Sequence, residues 1–178
     1  MKQLPGTKIN VEQMTAQNAG MALDNLFLCG GLTLSQVATL CGVELYTVQN
    51  WVSRGFVSPP KGKKYSRRQF CRLVIIKMLK ESLSIPDITA MLSYLNGNLA
   101  DEDDDTVADD SLYTDFVGMT QTDNPKSAER KAAEIAGGNR KLETVLYAMY
   151  LAYRSSELKK QAAEIISAEI KNKSKGGN

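Results

Sequence analysis

The chain has 178 residues, 43% of them hydrophobic, enough to bury the core of one domain or of two small ones. It contains no histidine, which removes the commonest general base, the histidine-activated nucleophiles and nearly every familiar zinc site. Its net charge of +2 conceals a segregation: residues 45–80 carry nine basic and no acidic side chains, and residues 81–124 carry eleven acidic and no basic ones.

No run approaches the roughly 20 apolar residues of a membrane span, and MKQLPGTKINVEQ has no apolar leader. The chain therefore reads as cytoplasmic, with no membrane partner. Neither GxGxxG nor GxxxxGK[ST] is present, so no enzyme activity, cofactor or metal is expected. Cys29, Cys41 and Cys71 lack CxxC spacing and sit in apolar helical surroundings, as reduced core residues would. Strand-type alternation is scarce, and an all-α class with a small β-wing is expected.

In chain order, residues 11–28 read as a first helix closed by Gly30-Gly31. Thr33 followed by Gln36 is a capping-box signature, opening a short helix with Leu34, Val37, Ala38, Leu40 and Cys41 on one face. Gly42 ends it. A second short helix over about 45–54 buries Leu45, Val48, Trp51 and Val52, and turns Tyr46, Gln49, Asn50 and Ser53 outward with Arg54 at its edge. Two short amphipathic helices joined through a glycine turn describe a helix-turn-helix, with amides suited to adenine in a major groove. Such pairs also occur in all-α proteins that never touch DNA.

The stretch FVSPPKGKKYS follows. Pro59-Pro60 stiffens the exit, Gly62 marks a hairpin tip, and Lys61, Lys63 and Lys64 point outward in a basic wing over 57–65. Ser66 caps a third helix whose first turn presents Arg67 and Arg68, where a bound phosphate would reverse an unfavourable dipole contact. That helix is apolar over most of its circumference. Ser84, with Pro86 beside it, opens a fourth helix running to about Leu95.

Residues 32–95, from LTLSQVATLCGV through FVSPPKGKKYS to ITAMLSYL, resemble the MerR-type winged-helix DNA-binding domain. The segment SYLNGNLADEDDDTVADDSLY further resembles a bacterial family of unknown function that carries such a domain. The resemblance implies a transcription regulator that binds double-stranded DNA as a homodimer, with a small-molecule effector as a further candidate partner. It places Tyr46, Thr47, Gln49 and Asn50 on a recognition helix and Lys61, Lys63, Lys64 and Tyr65 at wing positions that touch phosphates. Many MerR regulators have Arg-Tyr-Tyr where this chain has Gln49-Asn50-Trp51. The other reading is a winged-helix protein-interaction or ligand-sensing module that does not bind DNA.

Beyond Asn96-Gly97 lies ADEDDDTVADDSLY. As a calcium loop it puts Thr106 where glycine belongs and Leu112 where bidentate glutamate belongs, so a solvated acidic linker is expected. An acidic loop shielding the basic patch is the functional counterpart. Asn124-Pro125 opens another helix, and a long helix over about 140–171 follows, its heptads drifting at Ser155-Ser156. Tyr113, Phe116, Tyr147, Tyr150 and Tyr153 read as core before effector pocket. The expected units are an N-terminal helix (1–31), the MerR-like domain (32–96), the acidic linker (97–110), a helical region for dimerisation or effector binding (111–172) and a disordered tail (173–178).

Overall fold

The computed structural model describes residues 1–102 and 105–175, with side chains as far as residue 170. The described residues are mostly helical and hold one small two-stranded sheet. Strands β1 (Lys2–Gln3) and β2 (Asn10–Val11) pair antiparallel, Lys2 opposite Val11. Eight helices follow: α1 (Ala16–Phe27), α2 (Leu34–Cys41), α3 (Leu45–Ser53), α4 (Arg67–Leu79), α5 (Ile85–Asn96), α6 (Asp109–Met119), α7 (Pro125–Ala136) and α8 (Arg140–Lys175). None is long and apolar enough to cross a membrane.

The first residues depart from expectation. A helix over 11–28 begins instead at Ala16, because Thr15 takes an extended backbone and its hydroxyl accepts from Asn18 N at 3.1 Å. Residues 2–11 form the hairpin. Leu4 N donates to Ile9 O at 2.8 Å, and the Thr7 hydroxyl bonds both Leu4 O and Ile9 N inside the turn. The hairpin is tied into the body by the Tyr113 hydroxyl, which donates to Pro5 O at 2.7 Å.

Helix α4 is the centre of the core. Phe70, Leu73, Val74, Ile75, Ile76 and Leu79 are fully buried, and α2, α5, α6 and α8 pack around it. Burying each such side chain contributes about 1.5–3 kcal/mol, which makes this helix the main source of apolar stabilisation. Its start is fixed locally: Ser66 Oγ accepts from Gln69 N at 3.1 Å while Gln69 Oε1 accepts from Ser66 N at 2.8 Å.

The aromatics expected in the core are there. Tyr113, Phe116 and Tyr150 are buried, and Phe116 meets Tyr153 edge-on at 5.5 Å between centroids. Burial pushes the Cys41 thiol up to about 12 and the Cys71 thiol well above its ordinary value, so both stay protonated. Cys29 is exposed, a correction to its assignment as core, since α1 has already ended. Helix α8 continues to Lys175; residues 176–178, the end of the expected tail, lie outside the described residues.

Candidate nucleic-acid interface

Helix α2 opens on the expected capping box: Gln36 Oε1 accepts from Thr33 N at 2.9 Å and Thr33 Oγ1 from Gln36 N at 3.4 Å. Gly42 closes it in the left-handed conformation (φ 66°), and α3 starts three residues later. Helix α3 then divides by face. Val48 and Trp51 are buried, whereas Tyr46 is 69% exposed and Gln49, Asn50 and Arg54 also face solvent. Thr47 is half-buried, and the Arg54 guanidinium lies 5.8 Å from the Phe56 ring centroid.

The basic segment is a tight hairpin. Lys61 and Lys64 form an antiparallel bridge, with Lys64 N donating to Lys61 O at 3.0 Å. The two residues between them, Gly62 (φ 56°) and Lys63 (φ 62°), both have the positive φ that a two-residue turn of this twist requires. Glycine accepts that conformation freely; for lysine it costs roughly 1–2 kcal/mol. Lys61, Lys63 and Lys64 are exposed, and no described carboxylate lies within ion-pairing distance of them.

The base of this hairpin is anchored twice. Gln69 Nε2 donates to Ser58 O and Pro59 O, each at 3.0 Å. Leu32 N donates to Tyr65 O at 2.9 Å and Tyr65 N returns a bond to Leu32 O at 2.7 Å. That pairing brings Gly31 so close that a Cβ there would meet Tyr65 O at 2.7 Å. It also turns the Tyr65 ring inward, where it is 4% exposed. Tyr65 is therefore core, a correction to its place among phosphate-contacting residues.

The arginines of α4 are engaged inside the molecule. Arg67 pairs with Asp24, and its Nε lies 3.0 Å from Asp110 Oδ2. Arg68 Nη1 donates to Glu102 O at 3.4 Å, and the Glu102 carboxylate accepts from the Ser58 hydroxyl. Arg72, counted in the basic run, is 1% exposed. Its Nη1 donates to Leu99 O at 2.7 Å, its Nη2 to both Asp105 oxygens at 3.2 and 3.3 Å, and its Nε lies 2.7 Å from Asp109 Oδ2, though not aimed along that contact.

The acidic segment is thus not a solvated linker where it is described. Asn96 brackets Val107, donating to its carbonyl at 2.7 Å and accepting from its N–H at 3.0 Å. Burial pushes the Asp109 carboxyl up to about 6 against the pull of Arg72, and burial raises Asp105 likewise. Although burial opposes its charge, Arg72 is held above its ordinary value by Asp109 and Asp105. Asp103 and Asp104 lie outside the described residues. Among the described residues no acidic or cysteine cluster could hold a metal ion.

Two concavities gather the candidate side chains. A cavity of about 310 Å³ joins Lys61, Lys64, Ser66 and Arg68 with Asp101 and Glu102. An open cleft of about 670 Å³ joins Ser35, Thr39, Glu44, Tyr46 and Thr47 with Lys8 and Lys80. The two share no residue. Lys8 is placed there by the N-terminal hairpin, whose Lys8 N donates to Leu40 O at 2.7 Å. The Lys80 ammonium sits 5.5 Å from the Trp51 ring centroid. Nothing local marks Lys8: it stands 36 residues before Glu44, and only the fold brings them together.

Residues 30–116 match the family described as a domain of unknown function, DUF1836. The chain is also 28% identical over 111 residues to "Uncharacterized protein YkrK" of Bacillus subtilis (strain 168), an alignment covering 58% of this chain and 48% of that relative. The chain therefore spans about half the length of the curated relative it matches. No solved structure matches. These findings overturn the MerR resemblance: the family found over this segment is the domain of unknown function, and no MerR-type or helix-turn-helix family is shown. The features that suggested it, a capped helix pair, a lysine hairpin and a Tyr-Ser helix start, follow from cap and turn chemistry that unrelated chains share.

Proposed function

We propose that the protein is a cytoplasmic, sequence-specific regulator of transcription that binds duplex DNA, with residues 32–96 working as a winged helix-turn-helix. In this reading α3 enters the major groove, where Gln49 and Asn50 offer paired donors and acceptors and Tyr46 and Thr47 line the approach. The lysines of the 57–65 hairpin lie along phosphates, with Lys8 and Lys80 on a second flank. Arg67, held by the carboxylates of Asp24 and Asp110, and Arg68, bonded to the Glu102 carbonyl, serve the fold first.

The hairpin tip carries the proposal. Three exposed lysines, none ion-paired among the described residues, surround a turn, and one occupies a strained position that glycine or asparagine would fill at less cost. Strain retained at an exposed tip supports a role for the side chain held there. The second reading, a ligand-sensing module without DNA, is favoured by one observation: the cavity beside the hairpin base sets Lys61, Lys64 and Arg68 against Asp101 and Glu102.

Fluorescence anisotropy with duplexes from the protein's own upstream region, across salt concentrations, separates the two. DNA binding requires log K to fall linearly with log salt, and Lys63→Ala/Lys64→Ala to lower the slope by roughly 2. No binding at low salt sinks the regulator and leaves the sensing module.

A further inference from the structure

Helix α8 outlasts the body it packs on. It buries Leu142, Val145, Leu146, Met149 and Tyr150 against its neighbours. The last described bonds to the body come from Lys159, whose Nζ donates to Glu81 O at 3.3 Å, and Lys160, whose Nζ lies 2.9 Å from Glu81 Oε2. Every residue from Leu158 to Ile170 is exposed, about 20 Å of helix. Yet this stretch is not polar all round. Leu158, Ile165, Ile166 and Ile170 are 58%, 65%, 59% and 63% exposed, and each stands on or beside one row of residues four apart, Leu158–Ala162–Ile166–Ile170. A lone helix gains nothing from aliphatic side chains in water, so such a row calls for a partner.

The row is its own complement when reversed. Laid antiparallel on a second copy, with the two-fold at the level of residue 164, it puts Leu158 opposite Ile170 of the second copy and Ala162 opposite Ile166 of the second copy. Two charges share this face, Lys159 and Glu169, and the same reversal brings each to the level of its opposite, twice over, the Lys159 ammonium having donors to spare beyond its bond to Glu81 O. A parallel pair would instead stack lysine on lysine and glutamate on glutamate. Lys160 and Glu164 fall on the far side of the helix and do not enter the seam. We propose that the exposed half of α8 is the dimerisation element of this protein and that its occupant is the same segment of a second copy, running antiparallel. The seam lies outside the 30–116 segment matched by the family and involves none of the residues proposed to touch DNA.

Sedimentation equilibrium on the full chain tests the contact without DNA, so its outcome is separate from that of the regulator reading. The chain should run as a dimer at micromolar concentration and melt at a temperature that rises with concentration, and Ile166→Lys, at an exposed position, should yield folded monomers whose melting no longer depends on concentration. Orientation is read by cross-linking in a Cys29→Ser background, which removes the exposed native thiol. Leu158→Cys and Ile170→Cys should each fail to form a disulfide-linked dimer alone, and should form one when mixed under oxidation. A monomeric wild type, a dimer untouched by Ile166→Lys, or self-linking of either cysteine variant alone overturns the proposal.

Discussion

The first turns of α4 and the tip of the 57–65 hairpin are equally basic in sequence and opposite in structure. The helix spends its guanidinium groups inside the molecule: Arg72 on Asp105 and Asp109, Arg67 on Asp24 and Asp110, Arg68 on Glu102. The hairpin leaves three lysines in water. Arginine's fixed fork suits several acceptors at once in a dry site, whereas an ammonium on a flexible stem stays hydrated until an anion arrives. Charge density alone does not separate a structural cation from an available one; side-chain type, and which face of a helix carries it, do.

The sharpest way to break this contrast is Arg72→Ala, which strands two buried carboxylates and should cost about 3–5 kcal/mol in urea unfolding. If the loss were under 1 kcal/mol, the buried network would have no structural role. The next effect is one of pH. Because the Asp109 carboxyl titrates near 6 in the fold and near 3.8 when unfolded, the folded state holds the extra proton between those values. Its contribution is fully present below pH 3.8 and is lost as pH rises through about 6, on the order of 2–3 kcal/mol. Comparing unfolding of the wild type and Asp109→Asn at pH 4 and pH 7 isolates it, the variant being the flatter.

On the hairpin side the same assays should read almost nothing. Lys63→Ala/Lys64→Ala should shift stability by no more than about 0.5 kcal/mol while flattening the salt dependence of DNA binding. Arg67→Ala should cost up to about 1 kcal/mol, its partners being partly solvated. The smallest effect has the opposite sign: Lys63→Gly should stabilise by about 0.5 kcal/mol, relieving the left-handed turn less the entropy glycine adds to the unfolded chain. A tip lysine that weakens the fold and tightens DNA binding is the outcome that most sharpens the contrast.

What the sequence made legible was chemistry complete within a few residues. Thr33 with Gln36, the cap Ser66, Gly42 and Asn124-Pro125 each carry their own partner or conformational reason, and all mark helix ends in the structure. What it hid was chemistry closed at long range. Arg72 sits among apolar neighbours and reads as part of a surface patch until residues 105 and 109, more than thirty positions later, fold back on it. Tyr65 reads as a wing residue because its neighbours are lysines, and only pairing with Leu32 turns it inward. The hairpin over 2–11 escaped notice because two-residue strands show no alternation, and Lys8 was hidden with it.

The buried arginine also sets the size of the smallest piece that can fold. A fragment ending at residue 96 would contain both short helices, the lysine hairpin and all of α4, yet would have to dry out a guanidinium with no counter-ion. Folding of that segment is therefore coupled to residues far outside it, and the matched stretch of 30–116 reaches past Asp105, Asp109 and Asp110. In native-state hydrogen exchange, amides of α4 and α6 should open together as one cooperative unit, slower than those of the hairpin tip.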